Sequence, residues 1–245
     1  MKVNPLVCFG NAYDCKEAIK SFNDLPCDKL RLDYIGYPQN FLKAQEFFLK
    51  HKEYTHFVYL APDLVISKSQ FNELKKQVEA WDYDVYGPVC NVDKMKYENK
   101  LACCIKLPAI KFEFRNYRWV QEEARQYFMN AGLKTLTVKF NGLTFCFIKR
   151  RILENYTFST LPFETDEKPI WENRGGWACD LAFAHYCDFA NIQIKVDLQV
   201  KLNHLRYPGK LLVGIKPPKI TFIERKDYTN YGWQNRTEGK IQSSS

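Results

Sequence analysis

The sequence predicts an α/β protein built on a mixed, mainly parallel central sheet with helices on both faces. Three observations predict it. Strand and helix signals alternate through the first 90 residues. Apolar runs such as HFVYL (56–60) are nearly continuous, as strands buried on both faces require. A chain of 245 residues, 46% apolar and 26% charged, is long enough for one large core.

The elements follow in order. Residues 6–9 read as a short strand. Asp14-Cys-Lys-Glu17 has the spacing of a capping box ahead of Ala18, Ile19 and Phe22. A second strand covers 30–35, and Phe41, Leu42, Gln45, Phe48 and Leu49 fall at helical spacing. The third strand is 55–60. Ser67-Lys-Ser-Gln70 repeats the capping pattern before Phe71, Leu74 and Val78, and 84–89 supplies a fourth strand. Beyond residue 91 the pattern changes: 101–107, 111–114 and 135–140 read as strands, with a helix over 120–130. Asn141-Gly142 turns into a strand over 143–148, and Lys149-Arg-Arg starts a helix. Residues 159–176 hold two prolines and two glycines and form a loop; 177–189 is a helix, and 192–205 alternates strictly. The segment from 217 is a polar tail.

Thirty-six Lys and Arg against 28 Asp and Glu give +8, which favours an anionic partner. The cations are dispersed, without a block of five like charges, so they argue against nucleic acid. Nine cysteines include no C-x-x-C pair, so the spacing supports neither a zinc ribbon nor a dithiol redox motif, and an odd count points to reduced thiols. No run approaches the roughly 18 apolar residues of a membrane helix. The expectation is a soluble cytoplasmic protein, or one peripheral to a membrane.

Four features carry chemistry. Asp63 stands just past the third strand, where open α/β sheets bind ligands, and suits a hard cation held against phosphate; Pro62-Asp63 is also ordinary turn chemistry. His204 ends the alternating strand on the face of Ile194, Val196, Leu198, Val200 and Leu202, with Lys195, Asp197 and Lys201 opposite; a bend in so long a strand would change its face. Asp180 falls in the first turn of a helix after Gly175-Gly176-Trp177, where the helix dipole favours its ionised form. That placement suits a general base facing a polyol, with Gly176 and Trp177 as acceptor or sugar contacts, or else a helix cap. Arg206 and Lys210 flank a Pro-Gly turn and suit a diphosphate, or else solvent.

In their order, VYLAPDLVIS, FNGLTFCFIKRRILE, GGWACDLAF and IKVDLQVKLNH resemble the motifs of nucleotide-sugar-dependent glycosyltransferases of the Rossmann-like GT-A fold, over roughly residues 5–210. The resemblance implies a single catalytic domain over 1–216, with a nucleotide-binding half (1–90) and an acceptor-side half (91–216), followed by a tail over 217–245. It implies that Asp63 and His204 hold Mn²⁺ or Mg²⁺, and that Asp180 deprotonates the acceptor in an inverting transfer. Asp33, ending the second strand in LRLDYIGY, would contact the base of a UDP-, GDP- or dTDP-sugar. Arg206 and Lys210 would face the diphosphate, and the acceptor would be a glycan, a lipid or another hydroxyl. Ala61 stands where the first acid of Asp-x-Asp is expected. A sugar-phosphate nucleotidyltransferase, and a non-catalytic sugar- or nucleic-acid-binding protein of the same fold, are the alternatives; CFGNAYD, with one glycine, lacks the phosphate loop of the former.

Overall fold

The computed structural model describes residues 2–36, 38–91, 100–106, 117–158, 179–205 and 209–225. Its elements are β1 (Pro5–Asn11), α1 (Lys16–Asn23), β2 (Asp28–Asp33), α2 (Gln39–Lys50), β3 (His56–Leu60), β4 (Leu64–Val65), α3 (Lys68–Trp81) and β5 (Val85–Cys90). There follow β6 (Lys100–Lys106), β7 (Tyr117–Gln121), α4 (Glu122–Asn130), β8 (Thr135–Val138), β9 (Phe147–Lys149) and α5 (Arg150–Leu153). The last are α6 (Cys179–Phe189), β10 (Ile194–His204) and β11 (Lys219–Ile223). The strand expected over 111–114 and the loop over 159–176 lie outside the described residues.

One nine-stranded sheet runs β11-β2-β1-β3-β9-β5-β10-β4, with β8 also on β10; β6 and β7 form a separate pair. β1 pairs parallel with β2 and β3, and β5 with β10, while β9, β4, β8 and β11 run antiparallel to their neighbours. The sheet is therefore mixed rather than mainly parallel. Because β3 and β5 both oppose β9, the strands β1, β2, β3, β5 and β10 nevertheless share one direction. Their carboxyl ends define one edge.

Side chains alternate across the sheet, so each strand feeds two cores. Leu6 and Cys8 point to the side of α2, α5 and α6, packing with Phe41, Phe48, Ile152 and Phe183. Val7 and Phe9 point to the side of α1 and α3, with Phe22, Phe71, Leu74 and Val78. Helices thus cover both faces. The capping box at Ser67 and Gln70 forms as its sequence requires, each side chain bonding the other residue's backbone N–H. At α1 the cap is one residue later than expected, since Cys15 Sγ accepts from the Ala18 N–H at 3.4 Å.

Three departures shape the site. The strand expected over 143–148 is cut to β9, because Leu143 and Phe145 take positive φ (49° and 59°) in a tight loop. The tail expected from 217 begins with β11, which pairs with β2 from Lys219↔Asp33 to Ile223↔Lys29. β10 slips against β5: Asp197 faces Pro88, but the next partner, Val89, faces Lys201.

Candidate functional site at the carboxyl ends of the sheet

The slip in β10 decides where His204 lies. Ile194, Val196 and Leu198 pack on the α2–α6 side, whereas Val200 and Leu202 pack on the α1–α3 side. Even-numbered residues change faces between 198 and 200. Asp197 holds the bend: its Oδ1 accepts the N–H groups of Gln199 and Val200 at 2.8 and 3.1 Å, and Tyr86 donates its hydroxyl to Oδ2 at 2.7 Å. Asp197, expected on a polar face, is buried.

Past the slip, His204 pairs with Leu64 of β4, and Leu205 N–H donates to the Asp63 carbonyl at 2.7 Å. The two side chains meet here. His204 Nε2 lies 2.9 Å from Asp63 Oδ2, and His204 Nδ1 lies 3.0 Å from the Asn91 carbonyl oxygen. A carbonyl only accepts, so Nδ1 carries a proton. In neutral imidazole Nε2 would then be a second acceptor facing a carboxylate. The contact demands a cation between them, either a proton that makes imidazolium or a metal ion.

Asp33 closes β2 almost fully buried, with Oδ1 accepting from Arg31 Nε at 2.7 Å and from Asn11 Nδ2. Asn11 ends β1, and beside it Gly10 faces Asn40 and Tyr59, whose hydroxyl occupies the place a Cβ would take. Asn11 Oδ1 and Asn40 Nδ2 are buried without hydrogen-bond partners among the described residues. One is an acceptor and the other carries donors. Sequence reading missed both asparagines, although Asn11 in CFGNAYD marks a strand end by the same logic as Asp63.

Lys210 is exposed on a segment that runs beside the loop after β1: Asp14 N–H donates to the Lys210 carbonyl at 2.9 Å, and Leu212 N–H to the Ala12 carbonyl at 2.8 Å. Arg206, Gly176 and Trp177 lie outside the described residues.

Asp180 occupies the first turn of α6, as expected, but its ionisation does not follow the helix dipole. Desolvation pushes its carboxyl up to about 6, against hydrogen bonding from backbone N–H groups that include Leu181. It lines a void of about 10 Å³ with Asn141, Cys146, Phe183 and Ile194, room for about one water. That void does not include Asp63 or His204. A buried polar chain runs between the two places. Asn141 donates to the Pro88 carbonyl at 3.1 Å and accepts from Thr144 Oγ1 at 2.8 Å and from Cys146 at 3.2 Å. Thr144 in turn hydrogen-bonds Cys90, whose thiol burial, aided by the charge of Asp63, pushes up to about 12.

FNGLTFCFIKRRILE has a structural task as well. The Arg150 guanidinium donates to the carbonyls of Phe48, His51 and Tyr54 at 2.6–2.8 Å, closing the end of α2. The cysteines Cys8, Cys15, Cys27, Cys90, Cys103, Cys146, Cys179 and Cys187 are free and buried. Among the described residues no group of three His, Cys, Asp or Glu converges to hold a metal, and no helix is long and apolar enough to cross a membrane.

No protein-family profile matches the chain, and no curated protein matches it. Among solved structures it is similar to A197 from STIV, with a TM-score of 0.54 and 15% identity over 96% of this chain and 100% of that one. At that identity the likeness is one of fold, and it extends over the α/β architecture that carries the candidate site.

Proposed function

We propose that the protein is a GT-A-type glycosyltransferase that moves a sugar from a nucleotide-diphosphate donor to a hydroxyl acceptor with inversion. The observation that carries this reading is the meeting of Asp63 and His204 at 2.9 Å, from positions 141 apart, at the carboxyl edge where α/β sheets bind ligands.

The pair suits a divalent cation. Neighbouring ligands on an octahedral ion with bonds of about 2.1 Å stand about 3 Å apart, and an imidazole whose other N–H is anchored on a carbonyl is the usual support of a metal ligand. With Ala61 in place of a further acid, substrate phosphate oxygens and water would supply the remaining ligands. Bound there, Mn²⁺ or Mg²⁺ would neutralise the departing diphosphate. Asp33, Asn11 and Asn40 offer acceptor and donor groups for the nucleoside, and Lys210 a cation for the phosphates. Asp180, with a pKa near 6, is matched to accept the proton of the acceptor hydroxyl. The freed oxygen bonds the anomeric carbon, and the bond from that carbon to the diphosphate breaks, its electron pair leaving with the nucleoside diphosphate.

Ala61 favours a second reading, in which the same site binds a nucleotide sugar without transferring it. Titration with UDP-, GDP- and dTDP-sugars, with and without Mn²⁺, followed by thermal unfolding, tests both. Stabilisation by one donor, dependent on Mn²⁺ and lost in Asp63→Asn, is expected; no response to any donor sinks both readings. Transfer by the wild type but not by Asp180→Asn selects the enzyme.

A further inference from the structure

From residue 198 to residue 223 the sequence holds five cations, Lys201, Arg206, Lys210, Lys216 and Lys219, and no Asp or Glu. The structure turns part of this run into a strap. Residues 209–218 cross the carboxyl ends of β1 and β2 before β11 joins the sheet. Leu212 and Val213 are half-buried against the body, with Val213 beside Gly36. Every residue from Gly214 to Ile220 is exposed. Leu211, Ile215 and Ile220 present 53%, 50% and 45% of their surface to solvent, large values for aliphatic side chains. Lys210, Lys216 and Lys219 stand among them, none in an ion pair among the described residues, with the Lys216 ammonium over the Tyr34 ring at 5.8 Å.

We propose that this strap docks the protein on an anionic lipid surface. Aliphatic side chains interleaved with lysines are the composition that enters a headgroup layer, the apolar groups sinking and the ammonium groups meeting lipid phosphates. A polyanion such as single-stranded nucleic acid would be met by aromatic and arginine side chains for stacking, and GKLLVGIKPPKI (209–220) contains neither. The charge is complementary, since acid-free cations lie within a chain of net +8. The inference is independent of the chemistry at Asp63 and Asp180.

Flotation of the full chain with vesicles of neutral phosphatidylcholine, or of phosphatidylcholine with about a third phosphatidylglycerol, tests it. Partition onto the anionic vesicles is expected to exceed that onto neutral ones by about a hundredfold and to fall as salt rises. Each surface lysine contributes about fivefold, so Lys216→Gln with Lys219→Gln should lower partition roughly 25-fold. Ile215→Ser, which leaves the charge unchanged, should lower it about tenfold. Both variants alter exposed groups, so an unshifted melting temperature shows that the fold is kept. Equal recovery with both kinds of vesicle, or recovery with neither, overturns the proposal. So does partition untouched by Ile215→Ser together with tight binding of an oligothymidylate, which would assign the strap to nucleic acid.

Discussion

Tyr86 donates its hydroxyl to Asp197 at 2.7 Å, at the point where β10 slips three residues against β5. Asp197 takes two backbone N–H groups as well, so Asp197→Ala would strand two buried donors and a third that is part-buried, and cost about 3 kcal/mol. The larger effect should be on the site, because the slip delivers His204 to Asp63. Donor-induced stabilisation should vanish in Asp197→Ala even where the variant is folded. Tyr86→Phe should cost about 1 kcal/mol and keep the response. A full donor response in Asp197→Ala would remove the slip from the account of the site.

Two desolvated groups set opposite pH slopes. His56 is buried with Nε2 unpartnered among the described residues, and desolvation, with Lys149 adding to it, lowers its pKa from 6.5 to about 4. The unfolded chain binds that proton first, so stability falls as pH drops from about 6.5 to 4, by about 1.4 kcal/mol per unit. Asp180 works the other way: its pKa rises from 3.8 to about 6, so the folded state binds the proton first and stability falls as pH climbs from about 3.8 to 6. The two slopes offset between about 4 and 6. His56→Phe should expose a negative slope there and Asp180→Asn a positive one, read by chemical denaturation at several pH values. Identical pH profiles for wild type and both variants would contradict the assignments.

Asp180→Asn should also raise stability at pH 7, by about 1 to 2 kcal/mol, while leaving it unchanged near pH 4. Transfer should be lost in the same variant. Stability gained with activity lost is the signature of a group kept for chemistry, whereas a helix cap would lose stability instead.

Ala61→Asp restores the first acid of Asp-x-Asp. If Asp63 and His204 share a cation, a further carboxylate should tighten Mn²⁺ binding by about tenfold in calorimetry. An unchanged affinity would mean that the Asp63–His204 contact is closed by a proton.

Gly209 has φ of 101°, and a Cβ there would lie 2.3 Å from the Asp14 carbonyl oxygen. Gly209→Ala should force the strap off the β1 loop and lower the melting temperature by about 5–10 °C. A melting temperature within a degree of wild type would show that the strap is not anchored there.

Much of this was legible in the sequence where one residue type has one physical use. Ser67 with Gln70, the apolar runs of β1 and β3, and Asp63 at a strand end were read from local pattern alone. Strand direction was not. The insertion of β9 between β3 and β5, and of β11 beside β2, depends on partners far along the chain, which periodicity does not encode. The same limit hid Asp197: period-2 alternation put it opposite the apolar face, as it is, but that face is covered too, so Asp197 is buried against Tyr86. Asp180 was placed correctly on its helix, yet its ionisation is governed by desolvation beside Val85 of β5, the loop before β9 and Ile194 of β10 rather than by its own first turn.

The position of β9 has a consequence for how the chain folds. Residues 1–90 supply β1, β2, β3, β4 and β5, but β3 and β5 do not pair with each other; Phe147–Lys149 must slide between them. A growing chain therefore cannot close its first half when that half leaves the ribosome. It waits for β9, then for β10 from more than 100 residues beyond β5, and last for β11. Such long loops make for slow, late assembly. The Asp63–His204 contact, which spans 141 positions, is made late, so the ligand chemistry proposed for it begins only once β10 has been synthesised and has joined the sheet.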